Sequence, residues 1–97
     1  MSLHDDVKVA LRVTSDALDT EVDGLIAAAL ADMRRAGVDQ RLLDEGAMYP
    51  LAKAAVVMYV KANFGYDNSE AGRFLRSYNQ TLALLCNSEG ATGEWSA

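Results

Sequence analysis

PLAKAAVVMYVKANFGYDN, Pro50 to Asn68, is the stretch whose reading decides the fold. From Leu51 to Phe64 the only charges are Lys53 and Lys61. At 100° per residue they lie within about 80° of each other around a helix. Every other position, including Val56, Val57, Met58, Tyr59 and Val60, is apolar or small. A helix with so narrow a polar stripe is buried on most sides, so the segment reads as the central helix of a domain. Pro50 suits its first position, where a missing N–H breaks no helical hydrogen bond. The pair Val56-Val57 is compatible with a strand, but the segment is longer than strands usually run. Gly65 marks the helix stop, and Tyr66-Asp67-Asn68-Ser69 reads as a tight connection.

On the C-terminal side, Asn68 or Ser69 is placed to cap a fourth helix with Glu70 in its first turn. Ala71, Phe74, Tyr78, Leu82 and Leu85 then fall on one face within about 80°. Arg73, Arg76, Asn79 and Gln80 take the other side. So short a link makes the third and fourth helices an antiparallel or steeply crossed hairpin. Residues 87–97, NSEGATGEWSA, read by composition as a flexible C-terminal tail. Trp95 is unusual there and reads as an aromatic anchor for a neighbour.

On the N-terminal side, Asp5 or Asp6 caps a short first helix over roughly residues 7–11, and residues 12–18 read as a turn. Asp19 or Thr20 caps a second helix that runs to about Ala36. Val22, Leu25, Ile26, Ala29, Met33 and Ala36 lie on one side of it, within about 100°. Gly37 follows Arg34-Arg35 where a left-handed cap belongs. The opposite side carries Ala27, Ala28 and Ala31, small residues that let another helix approach closely. Residues 38–49 hold one further candidate helical turn at Arg41 to Glu45, broken by Gly46. The expected fold is therefore all-α: a bundle of about four helices in one domain over residues 1–86, with a buried third helix and a tail over 87–97.

Composition limits the function. A chain of 97 residues with 51% hydrophobic content fits one domain, which buries about 60–65% of its unfolded surface. The net charge of −5 disfavours a DNA reader, because backbone binding relies on Lys and Arg displacing counterions. The fourth helix would also make a poor recognition helix, since it starts with Glu70, Ala71 and Gly72. The lone Cys86 excludes an internal disulfide, and its leucine neighbours suggest a buried small hydrophobe. Met1 to Asp6 lacks the features of a signal peptide, and no apolar run is long enough to span a bilayer.

No catalytic constellation assembles. His4 is the only histidine and is expected in a frayed N-terminus, so neither a Ser-His-Asp nor a Cys-His arrangement can be built. One Cys and one His do not make a zinc site. The carboxylates sit where helix starts and turns use them, in no calcium-loop spacing. The glycines form no phosphate loop. No enzymatic role, metal or cofactor is expected.

Two runs carry a family resemblance: YVKANFGYDNSEAGRFLRSYNQTLALL, residues 59–85, and VKVALRVTSDALDTEVDGLIAAALADMRRAGV, residues 7–38, together about 59 of the 97 residues. The first resembles the C-terminal half of bacteriophage head-tail connector proteins. Its Asn-Phe-Gly-Tyr-Asp helix stop, followed by Glu-Ala and an aromatic-led helix, is the more specific part. The second is similar to the N-terminal half of that family. Here Tyr49, rather than an acidic cap, precedes Pro50.

The resemblance implies a non-catalytic virion protein of a phage or prophage, made in the bacterial cytoplasm and residing at the head-tail junction. It implies a homo-oligomeric ring below the portal protein that extends the DNA channel, docks the tail or head-closure protein, and lets DNA pass without specific binding or any membrane contact. The candidate interface residues are Ala27, Ala28 and Ala31 on the second helix, Phe64, Tyr66 and Phe74 at the aromatic elbow, Arg73 and Arg76, and Trp95. The competing readings are a small helical adaptor or regulatory protein that binds a protein partner, and a DNA-packaging accessory that touches DNA directly.

Overall fold

In the computed structural model the segment 50–63 is a helix that touches each of the other three α-helices among the described residues. The structure describes residues 3–14, 16–44, 48–64 and 69–86. Among these are four α-helices: α1 (Leu3–Leu11), α2 (Asp19–Ala36), α3 (Pro50–Asn63) and α4 (Ala71–Cys86). Two 3₁₀ turns, Asp16–Leu18 and Gln40–Leu43, lie in the connections. No strand occurs among the described residues. The all-α bundle is therefore the fold, and α3 is its centre.

α1 starts at Leu3, earlier than the expected Val7. Leu3 and Val7 are one helical turn apart and both are buried, at 3% and 0% exposure. That (i, i+4) apolar pair docks the first turn onto the core. Asp5 and Asp6 lie inside this turn, where the helix dipole favours acids, and do not cap it. His4 is consequently part of a packed helix, not of a frayed end. α1 closes with Arg12 in the left-handed conformation at φ 59°. The Val13 N–H donates to the Lys8 carbonyl at 3.0 Å.

α2 begins at Asp19, with Leu18 at the cap position and no side-chain cap. The expected Asp19 or Thr20 cap is not used, because the preceding 3₁₀ turn runs straight into the helix. Its core face is Val22, Ile26, Ala29, Leu30 and Met33, while Leu25 and Ala36 are half-buried. The C-terminus ends as expected, with Gly37 at φ 101°. Gly37 N–H donates to the Arg34 carbonyl at 3.1 Å and Val38 N–H to the Met33 carbonyl at 3.0 Å. This double bond pattern satisfies two terminal carbonyls and requires the left-handed residue that glycine supplies without a Cβ clash. Val38 is then buried.

The next connection turns through Gln40–Leu43, where the Asp39 side chain accepts from the Arg41 N–H at 2.9 Å. Leu42 and Leu43 are driven into the core. α3 follows with Pro50 in its first turn. It buries Ala52, Ala55, Val56 and Val60. The small side chains Ala52 and Ala55 let neighbouring helices come close.

α4 runs antiparallel to α3. The pairs Lys61–Phe74, Tyr59–Tyr78 and Met58–Thr81 advance in opposite directions along the two helices. The rings of Tyr59 and Tyr78 meet edge to face, 5.2 Å between centroids. α4 opens at Ala71. The Glu70 carbonyl accepts from the Arg73 and Phe74 N–H groups, so Glu70 flanks the helix and is not in its first turn. The buried residues are Tyr78, Thr81 and Leu85, with Ala71, Phe74 and Leu82 half-buried beside them. Thr81 tolerates burial because its hydroxyl donates to the Ser77 carbonyl at 2.9 Å. The expected stops and caps at Gly46, Gly65 and Asn68, and the stretch 87–97, lie outside the described residues.

Candidate partner-binding surface

Polar latches between described residues hold the helices around the core. Lys8 on α1 reaches Asp19 at 2.7 Å, and His4 contacts both Asp19 and Asp23 on α2. The hydrogen bond to Asp23, with Asp19 adding to it, raises the His4 pKa above the ordinary imidazole value. The Lys8 hydrogen bond holds the Asp19 carboxyl below the usual carboxylate range. Lys53 on α3 pairs with Asp6 at 2.8 Å and lowers that carboxyl in the same way. On the other side of the bundle, the Tyr78 hydroxyl donates to Asp32 at 2.6 Å, and Arg35 shares that carboxylate. Burial, then the Asp32 hydrogen bond, push the Tyr78 hydroxyl well above the usual tyrosine range. These groups join α1 to α2, α1 to α3, and α2 to α4, and each is accounted for by a neighbouring helix. Cys86, half-buried, points its thiol at the Ala36 carbonyl at 3.3 Å. No cluster of metal-ligating side chains occurs among the described residues.

The surface that packing leaves over lies on the outer side of α3. A groove of about 550 Å³ runs between α3 and α4. Its apolar floor is Ala54, Val57, Met58 and Phe74, and Lys53, Lys61 and Arg73 stand along its length. Lys61 and Arg73 both face the Phe74 ring, at 5.4 and 5.0 Å from its centroid. Such cation–π contacts hold a large aromatic at the surface without burying it. Pro50 and Ala54 also line an adjoining hollow with Tyr49 and Leu51, so the apolar trough continues past the N-terminus of α3. On α4, Leu84 is 61% exposed. It lies seven residues beyond Ser77, a groove-lining residue, and therefore on nearly the same side of the helix.

The sequence-derived interface residues divide between two places. Arg73 and Phe74 line the groove. Phe64 packs half-buried against the core. Arg76 is exposed on α4 and does not line the groove. Ala27 and Ala31 are exposed on the far face of α2, with Ala28 half-buried beside them. Gly24 is also exposed and extends this face, with open space where a Cβ would stand. Tyr66 and Trp95 lie outside the described residues. Ala54, Val57 and Met58 are half-buried, and Val57 and Met58 pack against the core as a helix buried on most sides requires, but the sequence reading did not anticipate that the three also line a groove. The positions of Lys53 and Lys61 carried the missing signal: the narrow polar stripe marks the side of α3 that the described residues leave open.

No helix among the described residues is long and apolar enough to cross a membrane. No curated protein and no solved structure matches the chain. A family model for phage connector proteins matches residues 3–92, from the first residue of α1 to beyond the end of α4. With that match running through all four helices, the chain belongs to the phage connector protein family and is a structural connector component of a phage.

Proposed function

We propose that the protein is a head-tail connector subunit that forms a homo-oligomeric ring below the portal protein, extends the DNA channel and presents a docking surface to the tail or head-closure protein. The observation that carries this reading is the apolar trough on the outer side of α3, formed by a helix whose other side is already the centre of the core. Apolar surface beyond what folding uses marks a place where another chain sits.

A closed ring needs two different patches that meet head to tail. The α3–α4 groove supplies one. The exposed small-residue face of α2, around Gly24, Ala27 and Ala31, supplies the other, because a partner's side chains can approach its backbone closely. Charge supports the channel role. A subunit of net charge −5 repeated around a ring multiplies that charge, and an acidic lumen repels the phosphate backbone so that DNA slides through without sticking. In this reading the protein performs no catalytic step and resides in the virion at the head-tail junction.

The test is to mix the purified protein with the portal protein of the same phage and measure the mass of the product by analytical ultracentrifugation, with electron microscopy of the complex. A ring of many copies stacked on the portal is the expected result. A chain that stays monomeric beside the portal contradicts the proposal. Retention on double-stranded DNA at low salt contradicts the non-sticking channel.

A further inference from the structure

α1 is tied to the bundle differently from the other helices. It gives the core two side chains, Leu3 and Val7, where α2 gives five, α3 four and α4 three. Much of its remaining hold is ionic. His4 sits against Asp19 and Asp23 of α2. Lys8 reaches Asp19 at 2.7 Å and Asp16, in the connection, at 3.4 Å. Asp6 takes Lys53 of α3 at 2.8 Å. The Lys8 side chain is only 13% exposed, so its pairs are better shielded than ordinary surface pairs yet still open to screening by salt.

The helix also ends in a strained joint. Arg12, at φ 59°, is the one non-glycine residue at positive φ among the described residues. Its N–H donates to the Val9 carbonyl at 3.1 Å, and the Val13 N–H donates to the Lys8 carbonyl at 3.0 Å. This is the ending that Gly37 gives α2, made here with a side chain that crowds the left-handed backbone. Beyond the joint, none of the described residues 12–14 and 16–18 is buried. No core side chain among them pins the connection to the body.

We infer that α1 is a hinged strap that swings off α2 and α3 as one unit about Arg12, while the body of α2, α3 and α4 stays folded, and that the ionic latches of His4, Lys8 and Asp6 set how often it opens. Proteins open in cooperative pieces, and a piece that buries few apolar side chains opens at the least cost. Sodium chloride screens the latches and leaves the burial of Leu3 and Val7 nearly unchanged, so ionic strength acts on α1 through its ion pairs. A helix of nine residues does not stay folded once undocked. The amides of residues 7–11 therefore exchange with solvent when the strap opens.

Native-state hydrogen exchange on the full chain in dilute solution tests this without reference to ring formation. In the parent, residues 7–11 are expected to be at least about tenfold less protected than Val56 and Val60 of α3. Tyr78→Phe weakens the body behind α4, and should speed exchange at Val56 and Val60 by about fivefold to thirtyfold while residues 7–11 keep the parent rate. Equal protection in the two helices, or equal acceleration of both by Tyr78→Phe, makes the chain one cooperative unit and overturns the strap. Raising sodium chloride from about 0.02 M to about 0.5 M should speed residues 7–11 by roughly threefold to tenfold. The double variant Asp19→Asn, Asp23→Asn should open α1 at low salt and lose most of that salt response. Exchange in α1 that ignores both salt and the double variant overturns the latches. Arg12→Gly relieves the closed joint and should slow residues 7–11 together by about threefold. Exchange that ignores Arg12→Gly and grades inward from the Leu3 end is fraying, and overturns the hinge.

Discussion

Along α3, Ala52, Ala55, Val56 and Val60 face inward and are sealed from solvent, whereas Pro50, Ala54, Val57 and Met58 line an open trough. The two sides are built from the same kinds of residue. Helix geometry alone separates them, since Val56 and Val57 are neighbours in sequence and about 100° apart around the axis. The inner side stabilises the subunit. The outer side contributes less to folding than its composition offers, and that surplus is what an assembling protein holds in reserve for a partner.

The sharpest way to break this comparison is to place a charge on each side in turn. Val56→Asp buries a carboxylate with no partner, at a cost of several kcal/mol. Against a total stability of about 5–15 kcal/mol, circular dichroism should show a chain largely unfolded or melting far below the parent. Val57→Asp puts the same group at a half-buried position on the rim of the trough, where the carboxylate can still reach water, and should cost about 1–2 kcal/mol, well short of the Val56→Asp loss. Equal loss in both variants would falsify the distinction between the two sides. A size series refines it. Ala52→Leu overpacks a fully buried site and should cost about 1–3 kcal/mol, readable as a fall in Tm of about 4–8 °C per kcal/mol. Ala54→Leu extends into the groove and should leave Tm close to the parent.

A smaller effect belongs to the latch behind α4. Tyr78→Phe keeps the ring against Tyr59 and removes only the hydroxyl that donates to Asp32. The loss should be about 1–2 kcal/mol in denaturant unfolding, with Asp32 still held by Arg35. The smallest expected effect is at the far end of the bundle. His4 is raised above its ordinary value of 6.5 by Asp23 and Asp19. Its contribution is thus complete below that ordinary value and is lost as pH rises through the raised folded value. Tm should decline slightly on going from mildly acidic to mildly alkaline pH, and His4→Gln should flatten that slope. An unchanged slope in the variant would remove His4 from the latch.

Much of this architecture was legible before any coordinates. Pro50, the apolar run after it, and the Arg34-Arg35-Gly37 ending all act through local backbone physics, and the helices they mark are present. Other features depend on tertiary partners and were not legible. α1 reaches back to Leu3 because that side chain is buried in the core where α1 packs on α2 and α3. Asp19 fails to cap its helix because a 3₁₀ turn precedes it and Lys8 takes its carboxylate. Thr81 is buried against the apolar pattern because its hydroxyl is satisfied by its own helix. At the candidate surface, Phe74 was identifiable from the aromatic elbow and Arg73 from the charged side of the same helix. The floor made by Ala54, Val57 and Met58 was not, since periodicity reports that a residue is apolar but not which chain covers it.

The central claim is that the outer side of α3 exists for assembly. Its most direct test is sedimentation of the parent chain and of Val57→Asp, each mixed with the portal protein. The account predicts a ring on the portal for the parent, and for the variant a folded monomer that leaves the portal bare. A variant that builds the same ring as the parent would contradict it.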